Sequence, residues 1–527
     1  MTFINYSKKI IALTFLLAIP FVSIAQKPNW QNLDLKSDTT FGISTEKAYK
    51  ELLKGKKSSP VLVAVLDGGV DLNHEDLKRI IWVNKKEIAG NGLDDDKNGY
   101  VDDVNGWNFI GGKTGSIENE TLELTRLVRR DQTKFAGFTA TTVSENDKVA
   151  FYEFVKNRTS LEQKLITARS NYAGALGFKS AIDPVIQKIG KENPTLKDVE
   201  AFTPQGQRET AVKEALLEVL AETDFKSFYE NDVTGAIKYY GDQINYNYNV
   251  DYNPRNIVGD DPNNSKERFY GNNDIKGPDA SHGSHVAGII GADRTNALGI
   301  MGVADNVIIM GVRNTPNGDE RDKDVANAIR YAADNGAKVI NMSFGKAYSW
   351  DKAVVDEAVK YAVSKDVLLV QAAGNDNQDI DVEPNFPSRK YLDGGVASSY
   401  ITVGASGFVH DETLKASFSN FGKTSVDVFA PGVKINSTIP DNGYKLENGT
   451  SMAAPVVSGL AALIRSYYPK LTAVQVKDII LKSVVKVERN VSYIKEGVPT
   501  SVPFADLCVT GGIVNAYNAL KLAASYK

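Results

Sequence analysis

A chain of 527 residues with 42% hydrophobic residues can bury a large core and, by length alone, hold roughly two to four domains. Its net charge of −4, with no basic tract, excludes nucleic acid as a main partner. The single cysteine, Cys508, excludes an intramolecular disulfide and reads as a small buried hydrophobe, so stability rests on core size and bound metal.

The first element is an export signal over residues 1–25. Lys8-Lys9 precede an apolar run from Ile10 to Ile24, and Ser23-Ile24-Ala25 supplies the small residues of a cleavage site that leaves Gln26 at the new N-terminus. The run is short for a membrane span, and no cysteine nearby offers a lipid anchor. The expectation is an exported protein, periplasmic or extracellular, with no stable membrane anchor after cleavage. Residues 26–59 form a lead-in in which Thr45 to Leu53 is helical in pattern and ends at Gly55.

The main domain is expected over residues 60–525. Val61-Leu62-Val63-Ala64-Val65-Leu66 is a continuous apolar run of the kind found in parallel strands covered on both faces. It delivers Asp67, before Gly68-Gly69, to the edge where open α/β sheets place their sites, although Asp-Gly-Gly is also ordinary turn chemistry. In the following loop Asp94, Asp96 and Asn98 alternate before Gly99, with Asp102 further on, resembling the first half of a calcium loop. These four are the candidate metal ligands; a solvated acidic loop is the alternative.

Residues 115–250 change texture. Glycine thins out and apolar residues recur at helical spacing, as at Leu122, Leu124, Leu127 and Val128, or Phe151, Phe154 and Val155. This predicts a mostly helical insertion inside the domain. An Asp/Asn-rich loop at Gly259 to Asn264 and Gly271 to Asp274 reads equally as a second ion site or a plain loop. Alternation then resumes, with strands expected at Val307–Val312, Val339–Ser343, Val367–Ala373 and Ile401–Ala405, and helices near 322–335 and 350–364. That repetition predicts an α/β fold with a doubly wound, mostly parallel sheet.

Two of the four histidines lie in Ser281-His282-Gly283-Ser284-His285-Val286-Ala287-Gly288, which opens a small-residue helix. Zinc ligation lacks a glutamate and a third ligand at the usual helical spacing. A nucleophilic serine needs a base titrating near neutrality and a buried acid to orient it. Gly449-Thr450-Ser451-Met452-Ala453-Ala454-Pro455 puts Ser451 at the start of a buried helix, where backbone N–H groups can hold an oxyanion, although a helix cap looks the same in isolation. Asp67, His282 and Ser451 form the one set whose contexts suit all three roles. Gln371-Ala372-Ala373-Gly374-Asn375 adds an amide donor after a buried strand.

At these motifs the chain resembles the subtilisin-like serine peptidases, the subtilase family. The order Asp, His, Ser is that family's, and neither that of chymotrypsin nor that of the α/β-hydrolases. Gly68 stands where Ser or Thr is usual, and Ser284 where Thr is usual; the Ser motif matches in full. The resemblance spans about residues 60–110 and 270–525 and implies a subtilisin-like fold. It further implies a serine endopeptidase acting on protein or peptide substrates, with Asp67, His282 and Ser451 catalytic, Asn375 at the oxyanion and His285 structural. Ser343, Phe344 and Gly345 would line the substrate cleft, and calcium would be structural. Two departures stand out: the insertion separates Asp67 from His282, and the lead-in is short for the inhibitory N-terminal domain common in the family. A catalytically silent binding protein and an esterase are the rivals, the latter without a Gly-x-Ser-x-Gly elbow.

Overall fold

The computed structural model describes residues 27–495 and 497–526; the expected signal segment, residues 1–25, lies outside them. The apolar run becomes strand β1, Val61–Asp67, buried along all but Leu62. It is joined in a nine-stranded sheet by β2 (Gly106–Asn108), β3 (Val307–Arg313), β4 (Val339–Met342), β5 (Leu368–Ala372), β6 (Tyr400–Ser406) and β7 (Val428–Pro431). A two-stranded hairpin of β8 (Ile435–Ile439) and β9 (Gly443–Glu447) follows, and β10 (Val485–Lys486) and β11 (Gly512–Ile513) complete the large sheet. The order is β10-β11-β7-β6-β5-β4-β1-β3-β2, and every neighbouring pair except β10–β11 is parallel.

Side chains alternate across β1 as the strand period requires. Val63 and Val65 join one core with helices α6 (Ser281–Gly291) and α9 (Thr450–Tyr467). Ala64 and Leu66 join another, beneath α7 (Asp322–Asp334) and α8 (Lys352–Ser364). Helices therefore cover both faces, as the unbroken apolar runs require. The lead-in docks on this body: Trp30 and Ile43 are buried in it, and the helical turn α1 (Thr45–Ala48) lies beside α11 (Ala516–Ala523), with α10 (Ala473–Lys482) next to that.

The chain leaves β1 with β3 on one side and β4 on the other, so the strand order reverses there. Ligands of open α/β sheets bind at such a switch point, beyond the carboxyl ends of the strands. Asp67 ends β1, Ser343 follows β4 and Asn375 follows β5, so three predicted site residues share that edge.

The insertion lies between β2 and β3 and is mostly helical: α2 (Glu123–Lys134), α3 (Lys148–Ile189), α4 (Gln207–Leu220) and α5 (Gly235–Asp242). Helix α3 has 42 residues, about 63 Å at the standard rise. It serves two small cores. Phe151, Phe154 and Leu161 pack on Leu124 and Val128 near the body, while Ile182 and Val185 pack on Leu216 and Phe228 at the far end. Among the described residues no helix is long and apolar enough to cross a membrane.

Candidate active site

Helix α6 places His282 in its first turn, against the end of β1. Its Nδ1 lies 2.8 Å from Asp67 Oδ1 and 3.0 Å from Oδ2. The approach depends on Gly283, where a Cβ would lie 2.1 Å from the Gly69 carbonyl oxygen and 3.0 Å from the Asp67 Cβ. Asp67 is buried, 3% exposed, and takes a second hydrogen bond from the Gly68 N–H at 2.7 Å. The imidazole keeps 46% of its surface open to solvent. Desolvation where it is covered lowers its pKa, but the charge and hydrogen bond of Asp67 outweigh this and raise it above the usual 6.5. His285, one turn on, is buried, which pushes its pKa down to about 4, and its Nε2 meets the Ile435 and Lys445 carbonyls. It ties α6 to the β8–β9 hairpin as a neutral ring.

Ser451 occupies the first turn of α9, so its N–H has no carbonyl four residues back to bond. Its hydroxyl donates to the Ser343 carbonyl at 3.0 Å. A hydroxyl has one proton to give, so in this state it does not donate to the imidazole. Pro455 lies deeper than a free first-turn position: its missing N–H is the one that would bond the Ser451 carbonyl. The Ser343 hydroxyl fills that vacancy at 2.9 Å while accepting from Asn341 Nδ2, also at 2.9 Å. Ser343 therefore braces the Ser451 turn through both its backbone and its side chain, a role its place in the sequence does not announce.

The orientation of the Asn375 amide is fixed by its partners. Its Oδ1 accepts from the Thr450 N–H at 2.9 Å and the Thr450 hydroxyl at 3.0 Å. A backbone N–H can only donate, so the amide oxygen must face it and Nδ2 is left to donate elsewhere. A Cβ on Gly449 would lie 3.6 Å from that Nδ2, which sets the donor beside the turn carrying Ser451. Thr450 of the serine motif thus orients the Asn375 amide through both its N–H and its hydroxyl.

Gly345 is exposed, and a Cβ there would stand 3.0 Å from Asn385 Oδ1. Lys346 exchanges two backbone hydrogen bonds of 2.9 Å with Phe386. Phe344, also expected at the cleft, is 9% exposed and packs with the core beneath α7 and α8.

The expected metal quartet does not converge either. Asp94 accepts from the backbone N–H groups of Asn98 and Gly99. Asp102 accepts from those of Gly90, Asn91 and Gly92, and the Asn98 oxygen accepts from Tyr100 N–H. These side chains are engaged in shaping the loop. Asp96 instead joins Glu87 and Asp103, with one carboxylate oxygen from each lying within 4.8 Å of the others. Burial pushes the Asp103 carboxyl up to about 6, and the charge of Asp96 adds to it. Glu87 Oε2 is buried without a hydrogen-bond partner among the described residues. Spacing within one loop missed Glu87, which belongs to the preceding turn.

The insertion reaches this edge of the sheet. Tyr239, on α5, has its phenol pKa raised by burial and by the nearby Tyr240 and Asp376, the residue after Asn375. Tyr348, three residues beyond Gly345, packs against the same small core of the insertion as Tyr248 and Val250.

The profile of the Subtilase family matches residues 58–499. A thermophilic serine proteinase from Bacillus sp. (strain AK1) is 42% identical over 218 residues, 41% of this chain and 50% of that protein. Alkaline elastase YaB from Bacillus sp. (strain YaB) is 37% identical over 198 residues, 37% of this chain and 48% of its own length. Subtilisin E from Bacillus subtilis (strain 168) is 40% identical over 202 residues, 38% of this chain and 49% of its own length. The chain thus spans about half the length of these curated relatives. With a matching profile over most of its length, and the four motifs gathered at one sheet edge, the chain belongs to the subtilase family.

Proposed function

We propose that the protein is an exported serine endopeptidase acting on protein or peptide substrates. The observation that carries this reading is the Asp67–His282 pair at 2.8 Å, together with Ser451 in the first turn of α9, where its N–H has no carbonyl four residues back within the helix. Ser451 Oγ turns from the Ser343 carbonyl to the His282 Nε2 and attacks the scissile carbonyl. His282 takes the proton, Asp67 holds the ring and its charge, and the proton passes to the leaving amine. The oxyanion is met by Asn375 Nδ2 and the Ser451 N–H. Water then releases the acyl-enzyme by the same steps. Extended substrate lies along Ser343 and Gly345, with the insertion, residues 115–250, as a lid on one side.

Glu87, Asp96 and Asp103 fit a hard divalent cation, because each brings a carboxylate oxygen and one oxygen of Glu87 is buried without a partner, although Asn84 Nδ2 already donates to both Asp96 and Asp103. Calcium bound there would neutralise the cluster and brace the loop before β2, away from the reacting atoms.

An active-site fluorophosphonate probe tests the reading. Covalent labelling of the full chain is expected, and none of the Ser451→Ala variant; equal labelling of both would refute the assignment. Cleavage of casein in preference to a simple ester then separates peptidase from esterase.

A further inference from the structure

A cavity of about 170 Å³ lies where the insertion meets the body, and its lining includes none of Asp67, His282, Asn375 and Ser451. Four guanidinium groups line it: Arg126, Arg129 and Arg130 from α2, and Arg321 from the segment leading into α7. Trp350 forms part of its wall, with Arg130 stacked 4.8 Å over the indole, and none of the described residues lining it carries a carboxylate.

Three nearby acids pair with arginines of this wall. Glu120 serves both Arg126 and Arg321, Glu123 serves both Arg126 and Lys346, and Asp131 pairs with Arg130. Arg129 bonds only to carbonyls, those of Asn249, Val250 and Tyr252. Burial lowers its pKa; the charge of Glu120 opposes this, and repulsion from Arg321 and Arg126 adds to it. Among the described residues, nothing accepts a hydrogen bond from Nη1 of Arg129, Arg130 or Arg321. Three charged donors thus remain unused around a space too small for a drug-sized ligand.

We propose that this cavity is a binding site for a small oxyanion carrying at least two charged oxygens, an inorganic phosphate or a free dicarboxylate. Guanidinium forks suit both shapes, and the bound anion pairs Arg129, the guanidinium of this wall that has no carboxylate partner among the described residues. Since α2 supplies three of the arginines and the body supplies Arg321 and Trp350, the anion also pins the insertion to the body.

The test uses the full chain as Ser451→Ala, which prevents self-digestion, and isothermal titration at constant ionic strength. Inorganic phosphate and malonate are titrated separately, with chloride as the reference. Saturable one-site binding of at least one of them is expected, and the preferred anion identifies a tetrahedral or a planar ligand. Arg130→Gln, on a half-exposed side chain, should keep the melting temperature of the free protein and weaken binding roughly tenfold to a hundredfold. Neither anion exceeding chloride, or binding untouched by Arg130→Gln, overturns the proposal. Because binding rather than turnover is read, the result stands apart from the peptidase assignment.

Discussion

The proline at 455 explains the serine at 343. Helix α9 lacks the N–H that would bond the Ser451 carbonyl, and Ser343 supplies a hydroxyl in its place. Ser343→Ala should therefore cost about 1–3 kcal/mol of stability, the cost of an orphaned buried carbonyl. Pro455→Ala restores the helical donor, so the double variant should regain much of that loss in a denaturation cycle; strictly additive losses would contradict the coupling. Asn375 acts on the chemistry instead. Asn375→Ala should lower kcat by about a hundredfold to a thousandfold with KM little changed. The base has its own signature in pH. His282 must be neutral to accept a proton, and Asp67 holds its pKa above 6.5, so activity should be lost as pH falls through a value above 6.5. Asp67→Asn removes that charge, and the acidic limb of its residual kcat/KM should shift down. A limb that stays in place would show that another group titrates there.

At the scale of elements, the insertion is joined to the body by a buried charge network. Lys346, 5% exposed, lies 3.0 Å from Glu123 on α2 and 2.8 Å from Asp322 on α7, and its Nζ donates to the Glu320 carbonyl. Removing one member of a buried ion cluster leaves the others uncompensated, so Lys346→Met should destabilise by about 3–5 kcal/mol in urea. Because Gly345 precedes it, KM for an extended peptide should rise as well, whereas an ester probe reaching only Ser451 should react as before. This network could not be read from sequence, since Glu123, Asp322 and Lys346 lie in separate segments and charged residues are expected at the surface. The residues around Ser451 were legible for the opposite reason. Asp67, His282, Asn375 and Ser451 each lie in a short contiguous motif at the end of a strand or the start of a helix, where local pattern and final position coincide. Asp94 and Asp102 misled because a carboxylate can shape a loop through its N–H groups as readily as it can bind an ion.

For the molecule as a whole, one cysteine leaves no intramolecular disulfide, and the acidic cluster before β2 is where the proposed cation would add stability. Without a cation, Asn84 Nδ2 bridges Asp96 and Asp103, and the charge of Asp96 bears on Asp103. The Asp103 carboxyl is raised to about 6 from 3.8, so the folded state holds its proton where the unfolded chain has lost it. A group that binds more protons when folded makes stability fall as pH rises, here between about pH 4 and 6. In chelator, the melting temperature of Ser451→Ala should therefore decline over that range relative to the same chain carrying Asp103→Asn. Calcium that binds the ionised cluster should reverse the trend, adding stability that grows with pH and with calcium concentration. Glu87→Gln should remove most of the calcium response while leaving fluorophosphonate labelling of the chain with Ser451 intact. Equal melting temperatures with calcium and with chelator at pH 7 would exclude a stabilising ion at this cluster.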